Sequence, residues 1–568
     1  MKRLQILNYS FLGLFLALMT SCTHEPISTE STTSAREKDY YLKLGQKLEN
    51  PYSVTNMKRA LDSVKAKMTI SKSAKSTSEF NVRISHLYVK IEPKNAAEEA
   101  LLKRDTSQVF FDYPLDYEFP KEVSEQIGTN NKDSIGSYYV AVPKDYVFPA
   151  GIRTKVLEEL YIPEQDPYFN NATGTGKVNK STISNKEDLL GNLLIEAYTL
   201  TYNEKQLGLE SSISGKTSWW IFGKKWRPSG QITMWDNTIN KEIPVEGAQV
   251  LIRQWFTVDN GITDANGNFS TGTVRGKAKY ILQWERYDYS IRNGWFGQAE
   301  TKSDYEKDDA WNFKITEDKD LYFAQIHQAA HDYYYKDILG LSRPQRNSFL
   351  NKQMKIAACD VTGRSYHSNQ IADFGIFPAI SILQYRNPSQ NIYGTTIHEL
   401  AHSAHQQLVP SSYPDLVWKA YLEPEALSNY GSGRETLKQI GAGRVMESWA
   451  RCVEIVLTNL RYQRLGFPNF EYNPESWYPR YGNFQNKTID KRDYYTPAIF
   501  DLIDNINQRI VYYNYDYPRP QDNVTGFTIK EVQDIVQLSN SWDEFKSRCK
   551  VKHPEKSAAI DELLNNWQ

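Results

Sequence analysis

Cysteine is scarce in this chain, with only four in 568 residues. So few cysteines cannot cross-link a chain of this length, which excludes a fold held together mainly by disulfides. Cys452 falls on the apolar face of a predicted helix, so we expect a buried, unreactive thiol there. With Cys22 assigned another role below, Cys359, Cys452 and Cys549 leave room for one disulfide at most.

A net charge is also lacking, because 67 Lys and Arg residues are balanced by 68 Asp and Glu residues. Without a basic excess there is no electrostatic reason to expect nucleic acid as a partner. Aromatic side chains, by contrast, are abundant, with 13 Trp and 38 Tyr. This richness favours well-packed β-structure, or surfaces that bind peptides or sugars.

The sequence contains no hydrophobic run long enough to cross a bilayer. Its N-terminal apolar stretch, residues 11–19, ends at Leu18-Met19-Thr20-Ser21-Cys22. This ending resembles a bacterial lipobox, which implies a lipoprotein signal peptide over residues 1–21 and a lipid on Cys22. The protein is then expected in the cell envelope of a Gram-negative bacterium, anchored to the outer membrane and facing the periplasm or the surface. A plain secretory signal is the alternative, since Met19 stands where leucine is usual.

The most informative stretch is His398-Glu399-Leu400-Ala401-His402. On an α-helix, residues four apart lie about 40° apart around the axis and about 6 Å apart along it. Both imidazoles therefore project from one face and can bind a single zinc ion. Glu399 lies about 100° from His398 around the axis, where a general base can reach the rim of the metal site.

The flanking residues favour a helix. Apolar residues recur on one face, and Thr395 and Thr396 are candidate N-caps. An amphipathic helix with two unrelated histidines is the alternative interpretation. The apolar face consists of Ile397, Leu400, Ala401, Ala404 and Leu408.

A catalytic zinc site usually takes a third protein ligand. The metzincin spacing requires a histidine at position 408, where this chain has leucine. His405 lies about one turn beyond His402, and we expect a solvent-exposed or supporting histidine there. Glu447, in a predicted amphipathic helix, is the preferred third ligand. Glu454, two turns further on the same face, is the less favoured one.

The HExxH motif followed by Glu447-Ser448-Trp449-Ala450 resembles the gluzincin zinc peptidases. The resemblance implies that His398, His402 and Glu447 bind Zn²⁺ and that Glu399 is the general base. It also implies a peptide or protein substrate.

Two further points follow from this resemblance. Gluzincins stabilise the oxyanion with a later side chain, and Tyr494 and Tyr495 are the candidates here. The thermolysin pattern has an acid four residues after the glutamate ligand, whereas this chain has Arg451. The resemblance therefore extends to the class of zinc peptidases and not to one family.

A different class of function stays open beside this one. The chain is also compatible with a non-catalytic binding lipoprotein that engages a glycan or a protein with an idle zincin fold. The intact Glu399 argues against that reading, because a decayed site need not keep its base. Neither substrate preference nor oligomeric state has a signal in the sequence.

The expected fold class is multidomain α+β. Residues 22–79 are interpreted as tether and linker, 80–215 as an α+β region of unknown role, and 315–568 as a mainly helical zincin-like peptidase domain. Residues 225–300 contain Val245-Glu246-Gly247-Ala248-Gln249-Val250 and later Thr263-Asp264-Ala265-Asn266-Gly267-Asn268-Phe269. These segments resemble carboxypeptidase regulatory-like domains, which implies a small transthyretin-like β-sandwich.

Several local features complete the expectations. Residues 374–383 read as an edge strand because they contain Pro378, residues 304–309 as a charged linker, and residues 264–268 as a tight turn without metal. His327 and His331 form a second pair at helical spacing, expected to pack and not to bind metal. The stronger predicted helices cover residues 321–339, 397–409, 437–460, 497–510 and 529–537.

Overall fold

The structure is a computed structural model. It describes residues 46–69, 80–118, 137–170, 180–204, 225–294, 297–306, 309–348, 353–363, 365–367, 379–472, 474, 484–512 and 518–568. The predicted signal peptide and Cys22 lie outside the described residues. Among the described residues, no helix combines the length and the apolarity needed to cross a membrane.

The N-terminal part is a small sheet packed with two helices. Strands β1 (His86–Glu92), β2 (Tyr138–Pro143) and β3 (Arg153–Leu160) are antiparallel, with β1 in the centre. The helix Val54–Thr69 packs against the helix Lys180–Leu200.

The helix Val54–Thr69 lies inside the stretch interpreted as tether and linker. Met57, Ala60, Leu61 and Val64 recur on one of its faces, and all four are buried in the N-terminal core. The segment 46–69 is therefore part of a packed unit, because its apolar face has a partner to cover it.

The central part is built from two four-stranded sheets whose inner side chains touch. Tyr280 of one sheet contacts Phe269 and Trp311 of the other, with ring centroids 5.9 and 5.2 Å apart. One sheet has the order β14-β11-β7-β8, and the other consists of β15, β5 and β6 in that order, with β9 also paired to β5. A separate pair joins β4 to β10. These strands are β4 (Lys225–Trp226), β5 (Ser229–Asp236), β6 (Lys241–Pro244), β7 (Gln249–Gln254), β8 (Thr257–Ile262), β9 (Asn268–Ser270), β10 (Val274–Arg275), β11 (Ala278–Gln283), β14 (Glu300–Glu306) and β15 (Trp311–Ile315).

Two local predictions fall in this central part. The turn at residues 264–268 is confirmed: Gly267 has a φ of +75°, and Asp264 Oδ1 accepts backbone N–H groups of Asn266 and Asn268. The prediction of a charged linker over residues 304–309 is wrong for residues 304–306. Residues up to Glu306 belong to β14, whose ladder with β11 fixes them in the sheet.

A five-stranded sheet carries the candidate site. Its order is β13-β12-β16-β18-β17, formed by β12 (Tyr289–Asn293), β13 (Gly297–Gln298), β16 (Met354–Ala358), β17 (Tyr366–His367) and β18 (Ile380–Ile382). The prediction of an edge strand over residues 374–383 is wrong for its described part. Strand β18 pairs with β16 on one side and with β17 on the other. In the order of the described strands β17 comes last, and it pairs antiparallel with β18. Residues 374–378 lie outside the described part.

The C-terminal region is mainly helical. The predicted helix over residues 497–510 is wrong as one element, because a turn held by Asp504 Oδ1 and the Ile506 N–H separates two short helices. The helices are Asp318–Tyr335, Ser389–Leu408, Tyr413–Val417, Pro424–Asn429, Leu437–Arg464, Ala498–Asp501, Gln508–Val511, Ile529–Val536, Trp542–Lys552 and Ser557–Leu564, with a π-turn over Trp418–Leu422.

One large core joins the central strands to the C-terminal helices. It includes Val250 and Tyr280 from the central sheets together with Ile326, Ile397 and Val453 from the helices. Cys452 belongs to this core and is a free, buried thiol, as predicted. The molecule is thus a mixed α+β protein with several sheets and a helical C-terminal region.

Candidate metal centre

Two long helices position the site. The first, Ser389–Leu408, carries the HExxH motif and is called the metal helix here. The second, Leu437–Arg464, carries Glu447 and is called the glutamate helix. They pack against each other along the motif. Each buries most of its side chains because helices or strands cover it on several sides.

The metal helix begins earlier than the sequence predicts. Thr395 and Thr396 are inside it, and the Thr396 hydroxyl donates to the Ile392 carbonyl oxygen at 2.8 Å. The free N–H groups of its first turn are capped from another part of the chain. Asn237 Oδ1 accepts from Ser389 N at 2.7 Å. This tertiary cap anchors the helix to the end of β5 and leaves no trace in the local sequence.

The three predicted ligands converge. His398 Nε2 and His402 Nε2 are 3.1 Å apart, and they lie 3.3 and 3.2 Å from Glu447 Oε2. A tetrahedral zinc ion with bonds of about 2.0–2.1 Å holds its ligand atoms about 3.3–3.4 Å apart. Two imidazole nitrogens and one carboxylate oxygen at this spacing fit a divalent metal ion, and zinc is one of the metals that this donor set suits.

The other atom of each ligand is held by a neighbouring side chain. His398 Nδ1 is 3.0 Å from Glu454 Oε2, and His402 Nδ1 is 3.2 Å from the Tyr413 hydroxyl. Tyr421 donates its hydroxyl to Glu447 Oε1 at 2.5 Å. Such contacts fix the ring orientation and the tautomer of metal-binding histidines, so both Nε2 atoms are directed to one point.

Glu454 therefore has a role that the sequence reasoning missed. The sequence offers Glu454 as a less favoured ligand, whereas in the structure its carboxylate contacts Nδ1 of His398. Arg451 and Tyr472 hold it there, at 2.7 and 2.8 Å from its two oxygens. The signal that could have found it is its position seven residues after Glu447 on the same helix face. Glu454 takes the orienting position, and Arg451, which departs from the thermolysin pattern, supports it.

Glu399 is buried beside the ligands. It is 2% exposed, and its Oε2 atom has no hydrogen-bond partner. Burial raises the pKa of Glu399, while the two imidazoles oppose this, and the resulting pKa is about 7. A buried carboxylate oxygen without a partner is costly. This unpartnered oxygen belongs to the residue that directly follows His398 in the chain.

The electrostatics of the pocket favour a cation. Burial lowers the pKa of His398, but its hydrogen bonds to Glu447 and Glu454 outweigh burial and raise the pKa to about 9. The Glu447 carboxyl group is buried, and the adjacent imidazoles hold its pKa well below the usual range. Buried carboxylates thus favour positive charge at the point where the Nε2 atoms meet.

Tyr494 and Tyr495 lie in different surroundings. The Tyr494 ring packs against Tyr421 and Tyr430, and its hydroxyl is 3.5 Å from the Ala420 carbonyl oxygen. The Tyr495 ring lies over the His398 ring, with centroids 5.9 Å apart. The structure therefore brings Tyr495 closer to the ligand set, whereas Tyr494 packs in a neighbouring cluster.

The other histidines fall outside the ligand set. His405 is buried rather than solvent-exposed; neither ring nitrogen has a hydrogen bond, and it packs edge-on against Tyr413. Burial lowers its pKa to about 3. His327 uses both nitrogens, with the Tyr289 hydroxyl and the Glu246 carbonyl oxygen each at 3.0 Å. The second histidine pair thus contributes to packing, as the sequence predicts.

Comparison with protein-family models, with curated proteins and with solved structures finds no match to this chain.

Proposed function

We propose that this chain is a zinc-dependent peptidase of the gluzincin type. The observation that carries the proposal is the convergence of His398 Nε2, His402 Nε2 and Glu447 Oε2 to within 3.3 Å of one another. Beside them lies Glu399, buried and with one carboxylate oxygen free of partners. Ligands and a free base together distinguish a hydrolytic site from a structural metal site, which needs no base.

When bound, zinc supplies a Lewis acid that polarises a carbonyl group and acidifies water. The side chains of this chain perform the other tasks. Glu399 accepts the proton of the attacking water and passes it to the leaving amine. Glu454 and Tyr413 keep both imidazoles in the orientation that binds through Nε2. Tyr421 restrains the second oxygen of Glu447, so that one oxygen faces the ligand point.

The proposed substrate is a peptide, bound by strand addition at β17. This strand is the last in the order of its described sheet, and its His367 ring lies 6.5 Å from the His402 ring. An edge strand offers backbone hydrogen bonds to an extended peptide. A peptide added there would pass directly over the ligand set. Tyr495, beside His398, is the preferred donor to the oxyanion.

The surroundings of the peptidase are proposed from the sequence. The two contacting central sheets are interpreted as a carboxypeptidase regulatory-like β-sandwich that supports the zincin-like region. The lipobox-like ending at Cys22 implies a membrane-anchored, extracytoplasmic enzyme.

The testing experiment compares the purified protein with its Glu399→Gln variant. Metal content is measured by mass spectrometry and hydrolysis with a library of peptides. The proposal expects about one zinc per chain in both proteins and a loss of hydrolysis by about 10²–10⁴-fold in the variant. Glu425→Gln, an exposed substitution of the same type, is the matched control and retains full activity. Undiminished hydrolysis in Glu399→Gln, or iron in place of zinc, rules the proposal out.

A further inference from the structure

A second cluster of buried acids lies behind the candidate metal centre. One carboxylate oxygen from each of Asp501, Asp504 and Asp522 lies within 4.8 Å of the others. Asp501 ends the short helix Ala498–Asp501, Asp504 follows in the next turn, and Asp522 comes from a separate segment. The cluster packs under the glutamate helix, since Asp501 and Asp504 both act on the buried thiol of Cys452.

The cluster has more oxygens than donors. Asp501 and Asp522 are 0% and 4% exposed, and each keeps its Oδ2 atom without a hydrogen-bond partner. Gln508 is also fully buried. Its Nε2 atom lies 2.5 Å from Asp501 Oδ1, while its own Oε1 atom has no partner. Two aspartates of the cluster and the glutamine bonded to it therefore each have a buried oxygen without a partner, which is costly.

The donors that do reach the cluster are all neutral. They are the backbone N–H groups of Ile506 and Val524 and the side-chain amides of Gln485 and Gln508. Within the described ranges no ion pair joins any of the three aspartates to a lysine, arginine or histidine, and no cationic side chain acts on Asp504 or Asp522. Three carboxylates thus lie close together, and no cationic side chain in the described part of the chain is paired with them.

Such a cluster must take up either protons or a cation. Burial raises the pKa of Asp504 and of Asp522 to about 7. In the absence of a cation, the cluster is therefore partly protonated near neutral pH.

We infer that Asp501, Asp504 and Asp522, with the amide oxygen of Gln508, form a calcium site that joins residues 501–508 to the separate segment that carries Asp522. An all-oxygen donor set with no nitrogen or sulfur selects a hard cation. Calcium accepts six to eight oxygen ligands in flexible geometry, whereas magnesium usually keeps several waters and is rarely held by protein ligands alone. A buried set of protein oxygens therefore favours calcium over magnesium.

The calcium ion has a structural role. Thr496 N donates to Ser448 Oγ on the glutamate helix at 2.9 Å, five residues before Asp501. Calcium at the aspartates would hold the same segment at its other end. Tyr495, which lies over His398, directly precedes Thr496, so calcium would steady the segment that follows this tyrosine.

The test is a calcium titration of the purified, zinc-loaded protein, with magnesium as the parallel probe. Bound calcium and zinc are measured separately after equilibrium dialysis, and the thermal midpoint is followed up to about 10 mM calcium, above the weakest extracellular calcium sites. We expect one calcium per chain and a midpoint that rises with calcium concentration. Absence of bound calcium at about 10 mM, or equal binding of magnesium, overturns the inference.

Variants locate the site. Asp504→Asn, at the most accessible of the three aspartates, is expected to lose calcium and the calcium-dependent rise in midpoint while it keeps its zinc. Asp561→Asn removes a half-exposed acid paired with Lys550 at 2.9 Å and serves as the control with calcium binding intact. Calcium binding by Asp504→Asn equal to that of the wild type contradicts the inference. Because the wild-type titration needs no substitution, a misfolded variant does not leave the question open.

Discussion

Two buried polar clusters lie against the glutamate helix, and they differ in their donor atoms and in the contacts that hold those atoms. In the first, two imidazoles and Glu447 converge, and Glu454, Tyr413 and Tyr421 fix their orientation. In the second, Asp501 and its neighbours meet, and among the residues that the structure describes neither a cation nor an aromatic hydroxyl is bonded to them. The first cluster directs two imidazole nitrogens and one carboxylate oxygen to one point, a donor set that suits zinc. The second offers only oxygen atoms, which calcium prefers.

The difference teaches how function and stability separate in this molecule. The first cluster lies beside Glu399, which has a buried carboxylate oxygen without a partner, and the His402 ring is 6.5 Å from the His367 ring on β17. The second has no base beyond its own carboxylates, and it joins chain segments. We therefore expect substitutions in the first cluster to change metal content and hydrolysis, and substitutions in the second to change stability.

The largest expected effect is that of Glu447→Ala. Loss of the carboxylate leaves two histidine ligands, so zinc content after dialysis falls well below one per chain and hydrolysis becomes undetectable. Calcium binding persists, because no aspartate of the second cluster is altered. Metal analysis of both ions in one sample checks the result. Full zinc occupancy in this variant would place the third ligand elsewhere, and loss of both metals would show that the two clusters are not independent.

The next effect concerns the two tyrosines. Tyr495→Phe is expected to lower kcat by about 10²-fold with little change in KM, because an oxyanion donor acts in the transition state. Tyr494→Phe is the matched control, because the Tyr494 ring packs against Tyr421 and Tyr430 and its hydroxyl lies 3.5 Å from the Ala420 carbonyl oxygen. Steady-state kinetics on one peptide separates the two. A larger loss in Tyr494→Phe than in Tyr495→Phe reverses the assignment.

Glu454→Gln is expected to have a smaller effect, on metal affinity. The amide keeps the size of the carboxylate but loses the charge that orients His398, and such changes cost about 10–100-fold in affinity. Competition with a chromogenic zinc chelator measures this loss. Glu423→Gln, at the surface and paired with Lys438, is the control with unchanged affinity. If Glu454→Gln binds zinc as tightly as the wild type, Glu454 has no orienting role.

Local patterns predicted the ligands of the first cluster, and long-range contacts decided the rest. His398 and His402 are recognisable because helical spacing alone puts them on one face, and Glu447 because of the resemblance to known zinc peptidases. The spacing of Glu454 from Glu447 puts it on the right face of the glutamate helix, but its contact with His398 Nδ1 depends on how the two helices pack. The cap of the metal helix by Asn237 is likewise a contact across 152 residues.

The fold shows the same division. Amphipathic periodicity predicted the glutamate helix and the mixed α+β character, but the neighbours of β18 follow from sheet order, which periodicity does not contain. The second cluster left no signal at all. Asp501 and Asp504 are close in sequence, but Asp522 and Gln508 join them only through tertiary structure.

The smallest expected effect is a pH dependence confined to the second cluster. Burial raises the folded-state pKa of Asp504 and of Asp522 to about 7, above the value of about 3.9 for an unfolded aspartate. The folded state then binds protons more tightly, so the calcium-free protein loses stability as pH rises from about 4 to about 7. Calcium replaces these protons and should flatten that slope, and Asp504→Asn should flatten it without calcium. Thermal midpoints across this range, taken as differences between variant and wild type, isolate the contribution of the cluster from that of other acids. Parallel profiles for the two proteins would mean that Asp504 is ionised in the folded state, and the balance of charge would then have to come from elsewhere.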